Sequence, residues 1–162
     1  MSSATLINGK EKAQQLTLTI KETTAQLKKE GIVPGLAVVI IGEDPASQVY
    51  VRNKKRTAEE CGFFSIQHTL NADAAQQEVL NLIQTLNQDD SIHGILVQLP
   101  LPKHLNEELI TQSIIPEKDV DGFHPMNVGN LSSGYESSVP CTPLGCYLMI
   151  KKIEPNLSGK KA

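Results

Sequence analysis

The sequence is poor in cysteine: it has only Cys61, Cys141 and Cys146, and no two of them form a C-x-x-C pair. An odd number without metal-ligand spacing predicts free thiols in a reducing compartment and argues against disulfides or a metal site. No apolar run approaches the ~20 residues that a membrane span needs. The first residues also lack the basic-then-apolar pattern of a secretion signal. We therefore expect a cytoplasmic protein without a membrane partner.

Positive charge and glycine-rich motifs are scarce as well. The formal net charge is −3, and the longest run of Lys and Arg is Lys54–Arg56. Because nucleic acids and anionic membranes bind basic surfaces, we expect no nucleic-acid partner. The sequence contains no G-x-G-x-x-G motif, P-loop or G-x-S-x-G motif, so it offers no recognisable dinucleotide turn or serine nucleophile.

What the sequence does contain is an alternation of helical and strand patterns, in a length that suits one domain. Continuous apolar runs rich in β-branched residues indicate strands that are buried on both faces. Predicted helices cover 9–30, 44–61, 74–86, 106–115 and 142–152; predicted strands cover 35–42, 64–70 and 93–99; 116–138 is expected to be a loop. This order predicts an α/β fold, with a parallel sheet between two helical layers in a three-layer αβα domain.

The end of the sequence suggests a boundary. Residues 1–155 are expected to form the αβα domain, and residues 156–162 resemble a loop that stops without a closing element. The interpretation is a truncated chain, or one domain of a longer protein.

A candidate catalytic lysine follows the first predicted strand, where open α/β sheets bind ligands. Ser47, Tyr50 and Lys54 are spaced i, i+3 and i+7, within roughly 60° of arc on one helix face. Ala58 and Cys61 continue that face toward the expected core, which places the lysine on the buried side. The alternative is a lysine whose stem packs while its ammonium reaches water, and the spacing leaves both interpretations open.

Two further segments with polar residues are of interest. Gln98 ends a predicted buried strand, where its amide needs either a ligand or a backbone partner, because an unpaired amide in a dry site is costly. Asp119 and Asp121 alternate before Gly122, which predicts a carboxylate that grips the N–H donors of a polar ring or, alternatively, a solvated turn. The spacing is too short for a calcium loop, so no metal is expected, and His124 stays unassigned.

Four segments, in this order, resemble the family of bifunctional methylenetetrahydrofolate dehydrogenase/methenyltetrahydrofolate cyclohydrolases. PASQVYVRNKKRTAEECGF resembles the catalytic helix of that family, and GILVQLPLP resembles its strand and loop. PEKDVDGFHPMNVG resembles the folate-binding loop, and PCTPLGC resembles the segment before the domain junction. The resemblance runs from near Ile7 to Ala162, nearly the whole chain.

The resemblance implies roles for individual residues. Lys54 corresponds to the catalytic lysine, and Gln98 to a glutamine that hydrogen-bonds near it and helps set its protonation. Asp121 corresponds to the aspartate that holds the amino-pyrimidine edge of the pterin, and completes the implied catalytic set. Tyr50 corresponds to the tyrosine that stacks on the folate, and Ser47 to a serine that supports the helix. The implied substrate-binding residues are Ser47, Tyr50, Val51, Arg52, Asn53, Lys54, Val97, Gln98, Leu99 and Asp121.

The family's chemistry is NADP-dependent oxidation of 5,10-methylenetetrahydrofolate, followed by hydrolysis of the methenyl product to 10-formyltetrahydrofolate. The resemblance implies a role in one-carbon metabolism and purine biosynthesis. Hydrolysis needs a group that exchanges a proton near neutral pH. The hypothesis is that desolvation and Gln98 bring the amine of Lys54 into that range, against the opposing charge of Asp121.

The family's cofactor site lies in a following Rossmann-like domain, which also forms most of the homodimer interface. We expect that domain to be absent here, so that the PCTPLGC segment, with Thr142, borders the nicotinamide side of the cleft but no NADP binds firmly to these residues. The chain alone is therefore expected to have impaired activity. Two alternatives from other classes are a catalytically idle pterin-binding module and, more remotely, an enzyme that forms a Schiff base through its lysine.

Overall fold

The structure, a computed structural model, describes residues 6–161 and contains a three-stranded sheet in the order β2-β1-β3. The strands are β1 (Gly35–Ile41), β2 (Phe64–Leu70) and β3 (Gly94–Val97). The helices are α1 (Gly9–Lys29), α2 (Pro45–Glu60), α3 (Gln76–Gln88), α4 (Glu107–Gln112), α5 (Pro125–Ser133) and α6 (Cys141–Ile153). Residues 1–5, at the start of the predicted domain 1–155, and residue 162, at the end of the predicted segment 156–162, lie outside the described residues.

The central strand β1 runs parallel to both neighbours. It pairs with β2 from Gly35–Phe64 to Ile41–Leu70 and with β3 from Leu36–Gly94 to Val39–Val97. Because β1 is covered on both faces, each of its successive side chains meets a helix layer, which explains its uninterrupted apolar sequence.

The two faces of the sheet carry separate cores. On one face, Val38 and Ile40 of β1 pack with Val51 of α2 and Leu96 of β3. On the other face, β1 residues pack against α3 and α4 in a cluster that contains Ala37, Val39, Ile41, Val79, Ile83, Leu86, Ile95, Val97 and Ile110. These two layers confirm the predicted αβα arrangement. Cys61, the C-cap of α2, places its thiol 3.9 Å from the carbonyl oxygen of Thr17 in α1.

Local signals in the sequence explain where α2 begins. Asp44 is the N-cap, and its Oδ2 accepts a hydrogen bond of 2.8 Å from the backbone N–H of Ser47. Pro45 occupies the first turn, where a missing N–H costs nothing. The predicted boundaries of α2 and β2 agree with the structure, whereas β3 and α4 are shorter than predicted.

The region 116–138 was predicted to be a loop, and this is wrong for its centre, which forms α5. Its residues, PMNVGNLSS, have weak helical propensity, so the sequence pattern favoured a loop. The helix begins because Nδ1 of His124 accepts from the N–H of Met126 at 3.1 Å and Pro125 takes the first turn. His124, which had no predicted role, is thus the N-cap of α5.

The topology places a crevice between β1 and β3. The connection after β1 enters α2 on one face, while the connection after β3 leads to α4 on the other face. Chains that depart in opposite directions from neighbouring parallel strands leave a gap at the carboxyl ends, where ligands of such folds bind. Within residues 6–161, no helix has both the length and the apolar character of a membrane span.

Candidate active site

A cleft of about 600 Å³ opens beside the carboxyl end of β3. It has two sides that are built differently. The helix–strand wall consists of Tyr50, Lys54, Leu96 and Gln98, and the loop wall consists of Asp121, Phe123 and Pro140–Pro143. The lining is largely apolar, with a few polar groups directed into it, which is typical of small-molecule sites.

The amine of Lys54 and the amide of Gln98 meet in the cleft. Lys54 Nζ donates a hydrogen bond of 3.2 Å to Gln98 Oε1. The Gln98 Nε2 group donates to the carbonyl oxygen of Leu99 at 2.6 Å, which fixes the orientation of the amide and turns its oxygen toward the lysine. Gln98 therefore has the backbone partner that its sequence position allowed as one alternative, and its oxygen also meets the amine of Lys54.

Tyr50 is the exposed member of the helix–strand wall. The buried positions of α2 are Ser47, Val51 and Ala58, so the predicted common buried face of Ser47, Tyr50 and Lys54 is wrong in detail. Tyr50 lies at the edge of that stripe with 64% of its surface exposed, and Lys54 is half-buried. An exposed phenol ring beside a cleft is available to stack on a flat ligand.

Asp121 contributes the carboxylate of the loop wall. Burial raises the pKa of Asp121 above the ordinary value of an aspartate, because a charged group is poorly solvated there. The positive charge of Lys54 opposes that shift and lowers the pKa, while the nearby Asp119 adds to it. The cleft thus contains an amine and a carboxylate that influence each other electrostatically.

Asp119 is not part of a solvated turn, the alternative that the D-x-D pattern had left open. Its residue surface is only 3% exposed. Its carboxylate accepts hydrogen bonds from the backbone N–H groups of Gly122, at 3.0 Å, and His124, at 2.8 Å. Asp119 is therefore an internal acceptor of the loop, whereas Asp121, two residues later, lines the cleft.

Three predicted substrate-binding residues have buried side chains or lie on another face. Val51 packs in the core with Val38, and Val97 belongs to the core on the opposite face of the sheet. Strand alternation is the reason: Leu96, two residues before Gln98, shares its face, and Val97 does not. Ser47 is buried in the first turn of α2.

Three others are not brought into the cleft lining. Arg52 and Asn53 are exposed on α2, and neither side chain lines the cleft. Leu99 contributes its carbonyl oxygen to Gln98, so its role is to hold the amide. Thr142, predicted from the resemblance to border a cofactor, does line the loop wall at the start of α6.

Some lining residues escaped the sequence analysis. Leu96 could have been found from strand periodicity, and Phe123 from its position two residues after Asp121. Pro140, Cys141 and Pro143 belong to the PCTPLGC segment, which the resemblance had predicted to border the cleft without assigning these three residues individual roles. Among residues 6–161 there is no cluster of three or more metal-ligating side chains.

Comparisons with known proteins agree on one family. Residues 7–121 match the family model described as tetrahydrofolate dehydrogenase/cyclohydrolase, catalytic domain. The chain is 58% identical over 158 residues to the bifunctional protein FolD of Pelagibacter ubique, covering 97% of this chain and 56% of the relative. It is 55% identical over 163 residues to that of Brucella ovis, covering 98% of this chain and 54% of the relative.

Solved structures give the same result. The bifunctional FolD methylenetetrahydrofolate dehydrogenase/cyclohydrolase of Campylobacter jejuni superimposes with a TM-score of 0.95 at 50% identity, covering 98% of this chain and 56% of that one. The Trypanosoma brucei enzyme, solved with NADP cofactor and inhibitor, gives a TM-score of 0.88 at 33% identity, covering 96% and 54%. The chain spans about half the length of these relatives, and it belongs to the tetrahydrofolate dehydrogenase/cyclohydrolase family.

Proposed function

We propose that this chain supplies the folate site and the proton-transfer group of a bifunctional methylenetetrahydrofolate dehydrogenase/methenyltetrahydrofolate cyclohydrolase. The observation that carries the proposal is the hydrogen bond between Lys54 Nζ and Gln98 Oε1, in a cleft that also holds Asp121 and Tyr50. The family resemblance adds a setting for this activity: a cytoplasmic homodimer that serves one-carbon metabolism and purine biosynthesis.

Substrate binding is assigned to the two sides of the cleft. The Asp121 carboxylate accepts hydrogen bonds from the amino-pyrimidine edge of the pterin, whose N–H donors match a pair of carboxylate oxygens. The exposed ring of Tyr50 stacks on the folate from the helix–strand wall. Leu96 and Phe123 provide apolar contacts for the ring system of the folate.

The hydrolysis step is assigned to Lys54. Water adds to the carbon of the methenyl bridge with loss of one proton. The bond from that carbon to the pterin nitrogen then breaks: the nitrogen takes up a proton, the hydroxyl on the carbon releases its proton to solvent, and the formyl group stays on the other nitrogen. Lys54 is the group that accepts a proton from the attacking water and returns one to the departing pterin nitrogen. Gln98 Oε1 orients the amine, because it accepts one of its N–H groups and leaves the nitrogen directed at the bridge.

The residues of this chain do not fit the pyrophosphate of NADP. The turn after β1 ends in Asp44, whose carboxylate already occupies the N-terminus of α2 by accepting from Ser47. An acid at that position repels a phosphate group, and the sequence has no glycine-rich turn to replace it. We therefore propose that NADP, if used by the whole protein, is held by residues outside these 162, with Thr142 only at its border.

The test uses the natural protein that contains this chain, together with any sequence that continues it. Binding of 5,10-methenyltetrahydrofolate is followed by calorimetry, and its hydrolysis by the loss of methenyl absorbance. We expect both binding and turnover. Binding without turnover would favour an idle pterin-binding module, and borohydride trapping of a carbonyl substrate on Lys54 would favour a Schiff-base enzyme.

A further inference from the structure

Asp119 organises the loop wall from inside. It is buried, and it accepts three hydrogen bonds: from Gly122 N on Oδ1, and from His124 N and Asn127 Nδ2 on Oδ2. The bond from Asn127 is 3.0 Å long. Gly122 lies between Asp121 and Phe123, and His124 follows Phe123, so the carboxylate holds the backbone of the segment that presents both side chains to the cleft.

Asn127 extends this set of contacts to the second half of the loop wall. It is 5% exposed, and its Nδ2 also donates to the carbonyl oxygen of Pro116 at 2.9 Å. Its backbone oxygen and its Oδ1 accept from the hydroxyl of Ser137, at 2.9 and 3.3 Å. Ser137 lies three residues before Pro140, where the second segment of the wall begins.

The two segments of the loop wall also touch directly at Gly122. A Cβ atom at this position would lie 2.8 Å from the carbonyl oxygen of Ser138 and 3.1 Å from Cδ of Pro140. Both distances are shorter than ordinary carbon contacts, so only glycine permits this approach. The spacing between Asp121 and Pro140 is therefore set by backbone packing and by the internal bonds of Asp119.

Residues 118 and 120, at the start of the loop wall, contact the sheet. The N–H of Ile95 in β3 donates to the carbonyl oxygen of Lys118 at 2.7 Å. Val120 packs against Gly94, where a Cβ atom would lie 2.5 Å from its Cγ1. Residues 118 and 120 are thus held against β3, which Gln98 follows directly, and Asp119, between them, points toward Asn127.

We propose that Asp119 is a positioning residue for the reaction: through Asn127 and Ser137, its buried carboxylate sets the distance between Asp121 and the segment Pro140–Pro143 across the cleft. The inference rests on the proposed function, because it assigns Asp119 an effect on folate binding and turnover. Asp119 does not line the cleft, so it acts only through the residues it holds.

The chemistry of the side chain makes the role specific to a carboxylate. Both oxygens of Asp119 accept from N–H groups, one on Oδ1 and two on Oδ2. An asparagine here keeps one acceptor and turns its NH₂ group toward N–H donors, so at least one of the three bonds is lost. A displacement of about 1 Å at a binding group is enough to reduce catalysis on the order of 10²-fold.

The main experiment compares Asp119→Asn with Asp90→Asn in the full natural protein. Asp90 is exposed in the turn before β3 and provides the same chemical change outside the loop wall. For Asp119→Asn we expect kcat/KM for methenyltetrahydrofolate hydrolysis, per folded molecule, to fall about 10²-fold, with most of the loss in KM. A kcat and KM equal to those of Asp90→Asn, with only a lower melting temperature, would overturn the proposal.

A milder pair of variants guards against a failure of Asp119→Asn to fold. Ser137→Ala removes the hydroxyl that reaches Asn127, and Ser137→Thr retains it. We expect a several-fold rise of KM in Ser137→Ala and a near-normal KM in Ser137→Thr, with Ser133→Ala on the exposed end of α5 as the control. Equal KM values for all three variants would contradict the proposed link between the two segments.

A structural readout separates this inference from the proposed function. Amide hydrogen exchange at Gly122 and His124 reports the bonds to Asp119 without any substrate. We expect faster exchange at both amides in Asp119→Asn, relative to Asp90→Asn. If the wild type does not bind folate, the proposed function is refuted, but amide exchange still tests whether Asp119 holds Gly122 and His124. If exchange at these amides is unchanged in Asp119→Asn, the positioning role of Asp119 is refuted.

Discussion

The two walls of the cleft are held in place by different means. The helix–strand wall presents Lys54 from α2 and Gln98 from the residue directly after β3, whose backbone N–H still donates to the carbonyl oxygen of Val39 in β1 at 2.8 Å. The loop wall presents Asp121 from an irregular segment, whose position depends on a buried carboxylate and its N–H partners. One wall is defined by secondary structure, and the other by side-chain contacts.

This difference has a consequence for substitutions. On the helix–strand wall, a change at one functional residue removes a chemical group and leaves the others in place, because the helix and strand are stabilised by their own backbone bonds and core contacts. On the loop wall, a change at a residue that never touches the substrate moves those that do. We expect losses of chemistry on the first wall and losses of binding on the second.

The largest expected effect is the loss of hydrolysis in Lys54→Met. Methionine keeps most of the apolar stem but removes the amine that we propose exchanges the proton, and such a group contributes on the order of 10²–10⁴-fold to kcat. Folate binding should change little, since Tyr50 and Asp121 remain in place. The measurement is kcat for methenyltetrahydrofolate hydrolysis, together with calorimetric binding.

Lys55→Met is the matched control for this variant. Lys55 follows Lys54 on α2 but points away from the cleft, where its amine lies 3.9 Å from Glu59 Oε1 at the surface. Such exposed pairs contribute little, so activity should be unchanged. A Lys54→Met enzyme that hydrolyses its substrate like Lys55→Met would remove Lys54 from the mechanism.

The second prediction tests the loop wall through Gly122→Ala. Gly122 has φ = +69°, a conformation that costs other residues roughly 1–2 kcal/mol, and its Cβ would press on the carbonyl oxygen of Ser138. We expect the two loop segments to separate, with KM for the folate raised on the order of 10-fold or more and a smaller change in kcat. Steady-state kinetics on the folded fraction measures this split.

Gly129→Ala provides the control within the same region. Gly129 lies in α5, and a Cβ there would meet nothing within 4 Å. Alanine is the better helix former by about 1 kcal/mol, so this variant should be equally active and slightly more stable. If Gly122→Ala kept the KM of Gly129→Ala, the tight contact at Ser138 would have no bearing on the site.

The same contrast explains what the sequence could predict. Lys54 and Gln98 were singled out because a lysine on the helix after β1 and a polar residue at a strand end are properties of the local sequence, although the buried face predicted from helical spacing was wrong in detail. The αβα fold followed in the same way from the periodicity of the apolar residues. The α5 helix was missed because PMNVGNLSS has little intrinsic tendency to be helical, and its anchors, such as Asp119 to Asn127, join residues eight positions apart.

Residue roles within the cleft were less predictable than its location. The resemblance pointed to Val97 beside Gln98, whereas strand alternation turns it to the opposite face and puts Leu96 in the cleft. Asp119 and Asp121 look equivalent in the sequence, and only the folded loop distinguishes the buried acceptor from the residue that lines the cleft. Such distinctions depend on the path of the chain after residue 116.

A third prediction concerns the base of the loop wall. Lys118 Nζ donates to the carbonyl oxygens of Leu86, at 3.1 Å, and of Asn87 and Asp89, each at 2.8 Å, at the C-terminal end of α3. Cations stabilise this end of a helix, where carbonyls lack partners. Lys118→Met should lower the free energy of unfolding by about 1–3 kcal/mol, measured by urea denaturation.

The effect of Lys118→Met on activity should be smaller than its effect on stability. Asp119 and Gly122 remain to hold the wall, so we expect only a several-fold change in KM. Lys103→Met, at an exposed lysine after β3, should leave both quantities unchanged. A large loss of folate binding in Lys118→Met would mean that this anchor, more than Asp119, sets the loop.

The last and smallest expected effect concerns the electrostatic influence of Lys54, on one wall, on the pKa of Asp121, on the other. Burial raises the pKa of Asp121, and Lys54 opposes that rise, so removing the amine in Lys54→Met should raise this pKa further. If the ionised form of Asp121 grips the pterin, folate affinity decreases as the pH falls through the raised pKa, and Lys54→Met moves that decrease to higher pH. Calorimetric titrations across acidic pH measure the midpoint, and Lys55→Met should not move it.

The same carboxylate has the opposite effect on folding. Because its pKa is higher in the native state than in the unfolded chain, the native state binds the proton more readily, and stability decreases as the pH rises from the ordinary aspartate value through the raised one. Acid should therefore weaken folate binding while it increases the free energy of unfolding, because the buried carboxylate becomes uncharged. If folate affinity were constant from the ordinary aspartate pKa up through the raised pKa of Asp121, the ionised carboxylate would not bind the substrate. The loop wall would then contribute to binding only through its shape.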